Sequence, residues 1–342
     1  MNEWMSREAL LAEGYRRCAK LTWRYGTTYF WGAALLPNPQ RRHVHAIYAL
    51  CRLADDIVDL PTEPRPPSSD FEPIPNERDP LPREPDRTLP DPVKDQTAVS
   101  GRLKAFAEDF RSSMAAGGST DPVIAAAVHT AITCGIDPEC FDRFFDAMAM
   151  DLTTTTYQTW EDLRDYMEGS AAVIGEMMLP VLEPMNQAAK APARSLGLAF
   201  QLTNFIRDVD EDLDRGRVYL PQADLKLFDV DLERRAVTPQ WRALLAYEIE
   251  RNRAIYSFAD TGIAMLPPRS ARCVGTARVL YAQILDQIEW KGYDVFSGRA
   301  RVPTWRKAAT AARIMVTGPR RLKRQAETYQ RRSMTDVTQD TY

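Results

Sequence analysis

Two pairs of aspartates, Asp55 with Asp59 and Asp208 with Asp212, are spaced so that each pair falls one helical turn apart. Like charges at that spacing repel by a few tenths of a kcal/mol in an isolated helix, so either water screens them or a cation uses them. A carboxylate pair of this kind is a hard oxygen site suited to magnesium, which keeps several waters and shares its remaining positions with substrate phosphates. Two such pairs facing each other could hold magnesium around one or two diphosphates. Arg52, Arg207 and Arg217 would then supply bidentate charge to the phosphate oxygens. If the space between them is otherwise apolar, the diphosphate carries a hydrocarbon, and a prenyl diphosphate satisfies both demands. A lone D-x-x-x-D is more often a solvated helix face; two of them justify the reading where one would not.

The elements that must position these acids read as helices. Apolar residues recur at spacings of three to four along nearly the whole chain and period-two alternation is scarce, so the fold expected is all-α. The first pair lies on a helix that starts near "LLPNPQ", with Asn38 as N-cap and Pro39 at the first helical position, and that Pro61 ends. On it Tyr48, Arg52, Asp55 and Asp59 share a stripe of about 60°, with Asp56 to one side. The second pair is expected on one continuous helix from about Ser195 to Gly216, where Gln201, Asn204, Asp208 and Asp212 share a stripe of about 80°. Between them, Thr159 and Asp162 have the spacing of a capping box. They introduce a helix rich in small residues, Gly169 to Ala172 and Gly175, which allow close helix approach or leave room for a ligand.

The segment 61–99 holds eleven of the 24 prolines and little apolar content, and reads as a disordered or extended insert within a single domain spanning 1–342. The net charge of −3 gives no support for nucleic-acid binding. From Arg299 to Arg332, eleven Lys or Arg face one acid, a local excess of about +10. This basic region, with its tail at 318–342, is expected to meet an anionic membrane surface peripherally. Five cysteines without a C-x-x-C pair argue against a disulfide framework and a zinc site, and no stretch resembles a signal peptide or a membrane span. A cytoplasmic protein is expected, with peripheral contact at the inner membrane face.

The longer motifs resemble the squalene and phytoene synthases. "YMEGSAAVIGEMMLPV" (166–181) is similar to one family signature, and "LGLAFQLTNFIRDVDEDLDRGRVYLP" (196–221) to a second, including Arg217, Tyr219 and Pro221. "HAIYALCRLADDIVD" resembles the first aspartate-rich motif, and "LYAQILDQIEWKGYDVF" with "RARVPTWRK" the C-terminal helices.

The resemblance implies an isoprenoid-synthase fold with a central cavity and head-to-head condensation of two prenyl diphosphates. Asp55, Asp59, Asp208 and Asp212 would be magnesium ligands, and Tyr48 would be catalytic. Thr28, Tyr29, Arg52, Gln201, Asn204, Arg207, Arg217, Tyr219 and Tyr281 would contact substrate. Tyr157 is a further aromatic candidate for stabilising a carbocation. "IYALCR" looks more like the phytoene branch, which implies geranylgeranyl diphosphate, magnesium (or manganese) and no NADPH. Squalene or dehydrosqualene synthesis from farnesyl diphosphate is the alternative, and a non-catalytic binding protein the third reading. Met167 stands where Cys is frequent in the family, and Thr27 and Thr28 where Ser is.

Overall fold

The computed structural model describes residues 6–59 and 92–319. Among them are fourteen α-helices and no strand, only one isolated parallel bridge between Thr156 and Val218. The helices are α1 (Arg7–Tyr25), α2 (Thr27–Ala33), α3 (Asn38–Asp59), α4 (Pro92–Ala116), α5 (Pro122–Cys134), α6 (Pro138–Met150) and α7 (Trp160–Met167). After a π-helical turn, Glu168–Ala172, come α8 (Val173–Val181), α9 (Lys190–Arg207), α10 (Val209–Asp214), α11 (Gln222–Leu227), α12 (Pro239–Ile263), α13 (Pro268–Trp290) and α14 (Thr304–Thr317).

Local sequence explains many of the starts and stops. Asp121, Asp137 and Thr238 each precede a proline at the first helical position, and each accepts backbone N–H bonds that the first turn would otherwise leave unmet. The capping box expected at Thr159 and Asp162 is formed in both directions. Gly135 ends α5 with φ of 65°, a conformation open to glycine without a Cβ clash.

Helix α9 lies at the centre, packed against α8, the π-helical turn, α12 and α13, while α3 packs against α1, α5, α4 and α8. Two large apolar clusters result. One joins α3 to α4, α5, α6 and α8, and the other joins α7 and α9 to α12 and α13. The Tyr15 hydroxyl meets Nδ1 of His129 at 2.8 Å and of His43 at 3.2 Å, and ties α1, α3 and α5 together.

Three expectations need correction. Helix α4 begins at Pro92, inside the insert expected over 61–99. No proline interrupts the chain between Pro92 and Pro122, so Pro92 serves as a first-turn residue rather than a breaker. The rest of that insert, 61–91, lies outside the described residues, as does the basic tail from 320 onward. Asn38 sits in the first turn of α3 rather than capping it, because Arg41 N–H already bonds to the Pro37 carbonyl at 2.9 Å. The second aspartate helix is not continuous: Asp208, at φ −102° and ψ 15°, divides α9 from α10.

Candidate functional site

The bend at Asp208 leaves the stripe intact. Asp208 N–H still bonds to the Asn204 carbonyl (2.8 Å), and Asp212 N–H to the Asp208 carbonyl (2.9 Å). Beyond it, Gly216 (φ 71°) closes α10: its N–H reaches the Leu213 carbonyl (3.0 Å), and Arg217 N–H returns to that of Asp212 (2.8 Å). This Schellman arrangement folds the chain back on itself and fixes Arg217 beside the second acidic pair. Its guanidinium then donates to Asp59 at 2.8 Å, 158 residues away, and Arg215 approaches the same carboxylate at 3.7 Å. The two pairs therefore converge on one mouth, as the spacing required.

Within that mouth the four acids divide by partner. Asp59 and Asp208 are ion-paired, Asp208 with Arg207 (2.6 Å through Nε) and with Arg299 (2.7 Å). Asp55 and Asp212 have no salt bridge among the described residues. Burial and then the neighbouring Asp59 charge push Asp55 up to about 7; burial and then Asp208 do the same to Asp212. Uncompensated oxygen ligands in a cluster of acids are the donor set a hard divalent cation fits. Among the described residues no three His, Cys, Asp or Glu side chains could hold one ion together. The residues that could hold one are the two pairs, Asp55 with Asp59 and Asp208 with Asp212.

Arg52 is engaged elsewhere. It pairs with Asp56 (2.7 Å) and lies 4.4 Å over the Tyr25 ring, which gives the off-stripe Asp56 its role. Tyr48 packs into the bend between α1 and α2, where a Cβ on Gly26 would lie 2.5 Å from the phenol ring. Its ring centre is 5.5 Å from Tyr29, which meets Tyr281 at 5.3 Å and Phe200 at 5.8 Å. Thr28 lies in the first turn of α2, half-buried, one residue before Tyr29. Gln201 accepts a long bond from Asn204 (3.4 Å) one turn before Asp208.

Behind these aromatics lies an apolar cavity of about 170 Å³. Tyr29 and Gln201 line it, and its wall follows α9 from Gln201 through Gly197 and Ala193, then reaches Ala189 in the turn just before that helix. That is roughly 18 Å at the helical rise. Leu182 and Leu266 also line it. Glycines let these walls approach closely: a Cβ on Gly175 would fall 2.1 Å from the Ala193 carbonyl oxygen, and one on Gly197 2.2 Å from that of Ala171.

Tyr219 and Tyr157 belong to a second aromatic group. Tyr219 stacks on Phe205 at 3.9 Å and faces Tyr166 at 6.0 Å and Tyr157 at 5.9 Å. Both the Tyr166 and Tyr219 hydroxyls donate to Asp151, at 2.6 and 3.3 Å. Sequence reading missed Asp151 and Arg299. Arg299 carried no signal beyond its place in a basic run. Asp151 did carry one: it caps the C-terminal end of α6, where the helix dipole disfavours an anion.

A phytoene synthase from Arthrospira platensis is 34% identical over 321 residues, covering 89% of this chain and 93% of that protein. A 15-cis-phytoene synthase from Synechococcus elongatus is 33% identical over 87% of this chain and 91% of its own. Among solved structures, a dehydrosqualene synthase superposes with a TM-score of 0.74 at 21% identity, over 90% of this chain and 98% of that one. A squalene synthase from Alicyclobacillus acidocaldarius gives 0.65 at 28% identity, over 83% and 96%. The helical architecture is thus that of the isoprenoid synthases, and with the squalene/phytoene synthase profile matching residues 23–306, the chain belongs to that family.

Proposed function

We propose that the protein is a phytoene synthase that joins two geranylgeranyl diphosphates head to head, through a cyclopropyl diphosphate, for carotenoid formation. The observation that carries this reading is the junction of an acidic mouth to a long apolar cavity in a chain whose relatives are phytoene synthases. A diphosphate belongs at the first and a hydrocarbon tail in the second. Magnesium bound by Asp55, Asp59, Asp208 and Asp212 would supply Lewis-acid charge to the departing diphosphate.

The chain's own residues do the rest. Arg207, Arg215, Arg217 and Arg299 keep positive charge at the mouth for phosphate oxygens. Loss of diphosphate leaves an allylic cation at C1 of one substrate. The double bond of the second attacks it, and a proton is lost as the cyclopropane closes. The clustered faces of Tyr29, Tyr48, Tyr281 and Phe200 would offer a carbocation negative potential. The apolar wall excludes the water that would capture it. A second ionisation, rearrangement and proton loss release the hydrocarbon and the remaining diphosphate.

Purified protein with magnesium and geranylgeranyl diphosphate, extracted and analysed without NADPH, is expected to yield a forty-carbon phytoene. Similarity to squalene and dehydrosqualene synthases supports farnesyl diphosphate as the second reading, and a thirty-carbon product from farnesyl diphosphate alone would replace the first.

Peripheral membrane contact is part of the same proposal. No helix among the described residues is long and apolar enough to cross a membrane. Helix α14, however, exposes Trp305, Met315 and Val316 alongside Arg306, Lys307 and Arg313, and Trp290 is exposed at the end of the adjoining α13. Aromatic and basic side chains together suit an anionic headgroup layer. Cosedimentation with anionic vesicles that weakens with salt is the expected result; binding indifferent to both lipid charge and salt contradicts it.

A further inference from the structure

We infer that Asp151 is a positioning residue of the active site, orienting the phenols of Tyr166 and Tyr219 so that their oxygens present negative potential to the reacting cation. The inference rests on the proposed carbocation chemistry for its purpose, and on geometry alone for its placement.

Asp151 comes from neither aspartate pair. It stands at the end of α6, yet shares the mouth's electrostatics with Asp55, Asp59 and Arg217. Each of its oxygens takes one phenol: Oδ2 accepts from Tyr166 at 2.6 Å and Oδ1 from Tyr219 at 3.3 Å. No basic side chain forms a salt bridge with it among the described residues. A carboxylate buried at the negative end of a helix dipole, among other acids and with no ion pair of its own, is an expensive way to hold two tyrosines if holding were the only purpose.

What the carboxylate adds over a neutral acceptor is charge. A phenol that donates to a carboxylate becomes richer in electron density at its oxygen, and the lone pairs it does not use turn away from that bond. The backbone holds the arrangement. Val218 N–H bonds to the Thr155 carbonyl (2.8 Å), and Gln222 and Ala223 N–H bond to those of Tyr157 (2.9 Å) and Gln158 (3.0 Å). The segment after Asp151 is thereby fastened to the one that carries Arg217 and Tyr219. Below the phenols, Phe205 and Tyr157 stack against Tyr219 and fix its ring plane.

Asp151→Asn keeps shape and one acceptor but removes the charge. It is expected to lower kcat at least about 30-fold, with KM for the diphosphate within about threefold, the pattern of an interaction made in the transition state. Tyr166→Phe and Tyr219→Phe each lower kcat, and adding either to Asp151→Asn costs less than the product of the single effects, because the three act as a unit. A second readout needs no substrate. The ultraviolet difference spectrum between wild type and Asp151→Asn should show a tyrosine band that shrinks when Tyr166 or Tyr219 is Phe in both proteins.

An unchanged kcat, multiplicative effects, or absence of that band overturns the inference. Silence of the wild type with both geranylgeranyl and farnesyl diphosphate overturns the proposed function instead, and the spectrum then still decides whether Asp151 holds the phenols.

Discussion

Asp212→Asn is expected to cut hydrocarbon formation at least about 100-fold while making the metal-free protein more stable at pH 8. Asp212 is 8% exposed and has no ion-pair partner among the described residues, and burial with the Asp208 charge raises its carboxyl from 3.8 to about 7. A group whose folded pKa lies above its unfolded value binds more protons folded than unfolded between the two. The wild type therefore loses stability as pH rises from about 4 to 7. Asparagine does not titrate, so the variant's advantage is absent at pH 4, grows through that window and levels off above it. Three units correspond to at most about 4 kcal/mol, and about 2 kcal/mol, or on the order of 5 °C in melting temperature, is a reasonable share once relaxation and water at the mouth raise the effective dielectric. Calorimetry in chelator at pH 4 and pH 8, beside a product assay, checks both limbs. Full turnover, or a variant less stable at pH 8, would contradict the assignment of Asp212 to cation binding.

Gly197→Ala should lose about 3 kcal/mol of stability, although alanine is the better helix former. The added methyl would sit 2.2 Å from the Ala171 carbonyl oxygen and 3.2 Å from the Ala172 Cα. Both obstacles are backbone, so no rotamer change relieves them. The π-helical turn and α9 must separate, and Gly175 facing the Ala193 carbonyl closes the same seam from the other side. Gly101→Ala is the control: it lies in α4 with nothing within 4 Å of its added methyl, and the same chemical change there should be neutral or stabilising by up to about 1 kcal/mol. Thermal unfolding of the two variants should move in opposite directions. A Gly197→Ala protein as stable as wild type would mean that the helices are not held as closely as described.

What was legible in the sequence follows from how far each signal depends on distant residues. The stripe of Tyr48, Arg52, Asp55 and Asp59 is a property of one helix, and α3 carries it. The bend at Asp208 was not legible, because its carboxylate is held between Arg207 and Arg299, the latter 91 residues away. The partners of Arg52 were not legible for a similar reason: Asp56, off the stripe, and Tyr25 on another helix engage its guanidinium. Asp151 has no periodic companion, and its meaning appears only when Tyr166 and Tyr219 arrive from later elements. Composition misled at residues 92–99, where a final proline starts a helix instead of ending order.

The seam between α8 and α9 also governs traffic. Walls held backbone to backbone resist parting sideways, so in the proposed reaction a tail would slide in lengthwise from the acidic end. The substrate brings a charged head that the mouth can grip, but a hydrocarbon product has none, and bulk water gives it no reason to depart. Release then becomes a partition between one apolar phase and another. In the proposed reaction the pace of turnover would depend on contact with an acceptor phase as well as on bond making.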